Sequence, residues 1–171
     1  MRILLIAVTA ILVIVGLVLV IGAMLPRQHR ATREIILNRS PREIYTVARD
    51  FGSAPSWRRN LLQVEWPEPV NGLVRFRELS KDGSVTYEVV QDGPGEKLVT
   101  RIVDRDLGYS GSWTYEFLPA EHGAHVRITE DGDVSNILFR FVSRFVLGHT
   151  STLDSYLLAL GEKLGENVTP R

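Results

Sequence analysis

Hydrophobic and polar positions divide the chain into four regimes. The first is an uncharged run from Ile3 to Leu25, dense in Ile, Leu and Val. About 20 such residues cross the hydrocarbon core of a bilayer as a helix. The second regime predicts a strand over Thr32–Asn38, carrying Ile35, Ile36 and Leu37, and then a helix. Ser40-Pro41-Arg42-Glu43 is a strong helix start: Ser40 caps, Pro41 suits the first turn and Glu43 completes a capping box. Ile44, Val47, Ala48 and Phe51 follow at helical spacing to about Asp50, and Gly52 ends the run. A second short helix is predicted over Ala54–Arg59, with Trp57 as its packing anchor.

From Leu61 the period becomes two. Val74 and Phe76 alternate with Arg75 and Arg77, and Val85, Tyr87 and Val89 with Thr86 and Glu88. Trp113, Tyr115 and Phe117 alternate with Thr114 and Glu116, and Val126 and Ile128 with Arg127 and Thr129. With Leu61–Trp66 and Lys97–Asp104 as two more runs, and turn sequences at Lys81–Ser84, Asp92–Gly95 and Pro119–Gly123 between runs, six further strands in antiparallel succession are predicted. Gly108–Gly111 reads as a loop. In the fourth regime, Asn136 to about Gly165, the period is helical. Leu138, Phe141, Val142, Phe145, Leu153, Tyr156, Leu160 and Leu164 share one side, opposite Arg140, Arg144, Ser151, Asp154 and Glu162. One continuous helix there would be about 45 Å long. The expected class is α+β: an antiparallel sheet of about seven strands, its apolar face covered by the C-terminal helix.

Composition changes this picture in three places. Lys+Arg and Asp+Glu both number 20, and a net charge of zero argues against a nucleic-acid partner. Cysteine is absent, which excludes disulfides, a thiolate nucleophile and cysteine-ligated metal. The N-terminal run exceeds the apolar region of a secretory signal, and Gly22-Ala23-Met24-Leu25-Pro26 is a poor cleavage site. An uncleaved anchor over residues 3–25 is therefore expected, in the cell membrane as a single pass. Arg27, Arg30 and Arg33 after the span outnumber Arg2 before it, which favours a cytoplasmic domain. The expected organisation is an anchor (1–25), a basic linker (26–31), one domain (32–165) and a tail (166–171).

Two stretches carry a family likeness. One is EIILNRSPREIYTVARDFGSAPSW, from Glu34 to Trp57; the other is GSWTYEFLPAEHGAHVRITEDGDV, from Gly111, with the helix after it. Together they resemble the START-like superfamily, also called SRPBCC or polyketide cyclase/dehydrase-like. The resemblance covers about Ala31 to Gly165. It implies a helix-grip fold, a curved sheet wrapped around the C-terminal helix with a cavity between them. Members bind lipids, sterols, polyketides, quinones or hormones, and a minority are enzymes. Fold alone does not fix function.

The residues themselves nominate a site. His149, Thr152 and Tyr156 are three and four apart, on the helix face turned to the sheet. They either meet a ligand oxygen or form a satisfied buried cluster. Glu130 points inward with Val126 and Ile128 under strict alternation, and a carboxylate there needs a partner such as Arg101, Tyr87 or His149. It serves the pocket or marks the strand's exit. Trp113, Tyr115 and Phe117 are core or cavity wall, and Tyr87 and Phe145 complete the candidate lining. His122 and His125 beside Glu121 sit in a hairpin without metal-site spacing, so neither metal nor cofactor is expected. Nucleophile-elbow, phosphate-loop and dinucleotide motifs are absent. The crowded apolar start of the last helix suits contact with loops, or a mouth resting on the bilayer.

The expected function is binding of a hydrophobic small molecule or lipid by a membrane-anchored domain. The alternatives are a cyclase/dehydratase-type enzyme using Glu130 and His149, and an interaction module without a ligand.

Overall fold

The computed structural model describes residues 1–148 and 150–171. Helix α1 (Arg2–Met24) carries no charge after Arg2 and is unburied along its hydrophobic window. Seven strands follow: β1 (Gln28–Leu37), β2 (Leu61–Glu65), β3 (Arg75–Ser80), β4 (Gly83–Gly93), β5 (Lys97–Ile102), β6 (Tyr109–Ala120) and β7 (Gly123–Val134). They form one antiparallel sheet in the order β1-β7-β6-β5-β4-β3-β2. The first strand thus closes beside the last, while β2 to β7 meander. Between β1 and β2 lie α2 (Pro41–Arg49) and a 3-10 helix (Phe51–Ser56). After β7 come α3 (Ile137–Val142), a π-helical turn (Ser143–Leu147) and α4 (Ser151–Lys163). This is the helix-grip arrangement, a curved sheet closed over a C-terminal helix.

The capping box at α2 is complete: Ser40 accepts from the Glu43 amide, and Glu43 accepts from the Ser40 amide at 2.9 Å. Alternation places Leu98, Phe117, Val126 and Ile128 on the concave face. There they meet Ile44 of α2 and Leu153, Leu157 and Leu160 of α4, all essentially without solvent contact. Burial of large apolar side chains, at about 1.5–3 kcal/mol each, fastens both helices to the sheet.

Four expectations are corrected. The strand expected over Thr32–Asn38 starts at Gln28, so residues 28–31 of the expected linker belong to the sheet. His29 and Ala31 continue its inward face and Arg30 its outer face, in register with Gly132, Glu130 and Asp131 of β7. The second short helix is the 3-10 turn over Phe51–Ser56, with Asp50 capping Ser53. Residues 109–111, read as loop, open β6. Gly111 faces Gly132 across the pair, and a Cβ on Gly111 would lie 2.5 Å from the Asp131 carbonyl oxygen. The single long helix is broken: the chain leaves the π-turn at Gly148 with φ 76, a left-handed value that interrupts the helical ladder. Leu138 and Phe145, on the expected packing stripe, are consequently exposed.

Two features outside the core hold the frame. The C-terminal tail covers the open edge of β1, where Glu34 and Arg171 exchange reciprocal backbone hydrogen bonds of 3.1 and 3.0 Å. On the convex face, Glu88 is clamped between Arg75 and Arg101 of the neighbouring strands. The hydrogen bond from Arg101, with Arg75 beside it, holds the Glu88 carboxyl below its ordinary range against the opposing effect of burial.

Candidate functional site

The helix-grip leaves two joined compartments between the sheet and α4. The outer one, about 260 Å³, lies toward α3. The inner one, about 140 Å³, lies toward α2 and the 3-10 turn. Tyr87, Thr100, Trp113 and Thr152 line both and form the waist. Together they reach the lower end of volumes usual for small-molecule sites.

Aromatic side chains build the inner compartment. Tyr156 stands at its centre, with the rings of Trp57, Trp113 and Tyr115 at 5.5, 5.7 and 5.6 Å in edge-on contact. Phe76 stacks on Tyr87 at 5.1 Å. Into this box comes one charged pair, a two-point fork from Arg58 to Glu78 whose longer arm is 3.0 Å. The Arg58 guanidinium also lies 5.4 Å from the Tyr156 ring centre. Burial disfavours the Arg58 charge, but the Glu78 carboxylate outweighs it and raises the Arg58 pKa. Burial likewise pushes the phenols of Tyr87, Tyr115 and Tyr156 upward, so all three stay neutral donors at physiological pH. The indole Nε1 of Trp57 is buried without a partner among the described residues. The compartment thus offers hydrogen-bond donors inside an aromatic wall.

The outer compartment is more polar. Glu130 stands on its wall, with the His29 Nε2 at 3.3 Å and the Thr152 hydroxyl at 3.5 Å. His29 fits because Gly132 lies beneath it: a Cβ there would meet the imidazole at 2.2 Å. A carboxylate and an imidazole in contact can pass a proton to or from an oxygen bound beside them. Phe139 of α3 closes this end and packs on Tyr109 at 5.5 Å.

The expected site residues are distributed as follows. Tyr87, Trp113 and Thr152 line both compartments, Tyr115 and Tyr156 the inner one and Glu130 the outer one. Phe117 lies in the core beneath α2, edge-on to Tyr45 at 5.8 Å. Phe145 faces solvent. His149 falls outside the described residues. Arg101, a suggested partner of Glu130, engages Glu88 on the opposite face. Sequence reasoning passed over Trp57 as a polar group, and over Arg58, Glu78 and His29. A signal for Glu78 existed: it shares strand parity with Phe76 and therefore points inward. Among the described residues, no three His, Asp or Glu side chains are grouped to hold a metal.

Comparison with known proteins agrees with this architecture. No curated protein matches the sequence. Among solved structures, the di-domain aromatase/cyclase StfQ from the steffimycin biosynthetic pathway aligns with a TM-score of 0.63 at 15% identity. That alignment covers 81% of this chain and 52% of StfQ. A START superfamily protein from Mycobacterium smegmatis aligns at 0.59 and 14% identity, over 81% of this chain and 97% of its own. Truncated norcoclaurine synthase from Thalictrum flavum aligns at 0.60 and 14% identity, over 80% and 93%. At such identities the likeness is one of fold. The sequence profile described as polyketide cyclase / dehydrase and lipid transport matches residues 28–152. Spanning well over half of the sequence, that match makes this chain a member of the polyketide cyclase/dehydrase and lipid-transport family.

Proposed function

We propose that this protein is a membrane-anchored binding protein for an apolar small molecule or lipid bearing at least one oxygen acceptor. The observation that carries the reading is the two-compartment cavity, aromatic within and polar at a few fixed points. Such walls exclude water from an apolar body while a small number of donors orient its oxygen. Tyr87, Trp113, Tyr115, Thr152 and Tyr156 hold the body of the ligand, and Trp57 and the tyrosine hydroxyls reach its acceptor. Glu130 and His29 address whatever part remains in the outer compartment.

The test is to fill the waist. Thr152→Trp places an indole where both compartments meet, on a helix whose packing side chains are Leu153 and Leu157. Affinity for a pyrene-labelled fatty acid, titrated against the full chain in mild detergent, is expected to fall at least about tenfold, or 1.4 kcal/mol. The circular dichroism spectrum should be unchanged. Undiminished affinity would place the probe elsewhere and defeat the reading.

α1 is the anchor in this proposal, and the arginines after it put the domain on the cytoplasmic side. The natural chain has no cysteine, so Lys81→Cys on an exposed hairpin provides a unique label site. An impermeant maleimide should label that variant only after cells are permeabilised; labelling of intact cells would reverse the orientation.

A further inference from the structure

α1 is not a free tether. Val18, Ile21 and Gly22 of this helix, at positions i, i+3 and i+4 and hence on one face, are withdrawn from solvent, as is Leu25 just past its end. α3 packs on this helix so closely that a Cβ on Gly22 would lie 2.5 Å from the Ile137 carbonyl oxygen. Arg140 fastens the joint: its two terminal nitrogens donate to the carbonyls of Leu25 and Ser135, each at 3.1 Å. The Val134 amide donates to the Arg27 carbonyl at 2.8 Å. If α1 crosses a bilayer, Val18 to Leu25 occupy its last 10 Å or so. α3 is then held at the level of the lipid headgroups.

At that level lies a groove of about 330 Å³, separate from the ligand cavity apart from His29, Val134 and Ser143 on the shared wall. Arg27, Arg30, Arg140 and Arg144 all line it. Arg27 and Arg30 pair with Asp133 and Asp131 but keep 59% and 72% of their side chains exposed. Arg140 and Arg144 have no carboxylate partner among the described residues, and the buried Arg140 Nε has no hydrogen-bond partner among them. Four guanidiniums against two carboxylates leave a cationic site. On the same segment as Arg140 and Arg144, Leu138 and Phe145 expose 53% and 61% of their surface.

We infer that this groove is a site for the headgroup of an anionic phospholipid, seated between α1 and α3 at the rim of the outer compartment. Guanidiniums match phosphate oxygens in charge and geometry, and a basic pocket at a membrane helix end is where such headgroups collect. The lipid would complete the joint, with its phosphate on Arg144 and Arg140 and its chains along α1, Leu138 and Phe145. The inference rests on reading α1 as a membrane span.

The test is native mass spectrometry of the full chain in detergent with phosphatidylglycerol and phosphatidylcholine supplied in equal amounts. The wild type should retain phosphatidylglycerol several-fold over phosphatidylcholine. Arg144→Gln, a change at an exposed side chain, should bring the two to parity. Thr152→Trp, with its ligand cavity filled, should keep the full preference. Equal retention by the wild type, or an undiminished preference in Arg144→Gln, overturns the site. Loss of the preference in Thr152→Trp assigns the lipid to the cavity, which overturns this inference and leaves the proposed function standing.

Discussion

Replacing Glu78 with leucine should destabilise the domain by about 3 kcal/mol, because it strands Arg58 in an aromatic compartment without its counter-charge. The side chains of Arg58 and Glu78 are only 26% and 13% exposed, and the fork between them uses both carboxylate oxygens. Burial already works against the Arg58 charge and is outweighed chiefly by Glu78, with smaller help from Tyr156 and Tyr115. Removing the carboxylate leaves most of the desolvation cost unopposed. A lowering of the melting temperature on the order of 10 °C follows for a domain of this size, read by circular dichroism on the full chain. The double variant Arg58→Met with Glu78→Leu should recover most of the loss, since two apolar side chains replace the pair without leaving a buried charge. A double variant no more stable than Glu78→Leu alone would show that the fork has no such role.

Phe117→Ala is expected to cost about 3–5 kcal/mol, the range for truncating a large aromatic side chain in a packed core. Phe117 is 2% exposed and meets the edge of Tyr45 beneath α2. Tyr45 in turn donates to Asp92 of β4, so the contact helps fasten α2 to the sheet. Because Phe117 lines neither compartment, affinity for the pyrene-labelled fatty acid per folded molecule should stay unchanged. A variant of normal stability and weakened binding would return Phe117 to the cavity wall, where the aromatic row in the sequence suggested it.

That contrast marks how far local pattern reaches. Trp113, Tyr115 and Phe117 share strand parity, and parity places all three on the concave face. Which part of that face is cavity and which is core depends on where α2 lies, a tertiary fact. The same division runs through the rest of the chain. The Ser40–Glu43 box, the inward face of Glu130 and the antiparallel succession of strands are local and were legible, whereas the closure of β1 beside β7 was not. The break at Gly148 was not, because the apolar spacing of residues 138–164 continues across it. The strand start at Gln28 was hidden among the charges of Arg27, Arg30 and Arg33, whose partners Asp133, Asp131 and Asp154 lie more than a hundred positions away. Arg58 and His29 were passed over for the same reason. A lone polar side chain in sequence reads as solvated until the fold supplies Glu78 or Glu130.

The joint between α1 and the domain follows this rule as well. Arg140 sits on the polar side of its helix, as its spacing implies, but it binds the carbonyls at the end of α1 and beyond β7. The end of α1, the joint and the outer compartment therefore adjoin one another, sharing His29, Val134 and Ser143 on a common wall.

The central claim, that the space between sheet and α4 holds an apolar ligand, is tested most directly by what the protein carries from the cell. Full-length chain purified from the membranes of its own host should release, on organic extraction, one class of apolar oxygen-bearing molecule near equimolar amount. Thr152→Trp prepared in parallel should release little of it. Wild-type protein that releases nothing and also fails to bind the pyrene-labelled fatty acid would contradict the account.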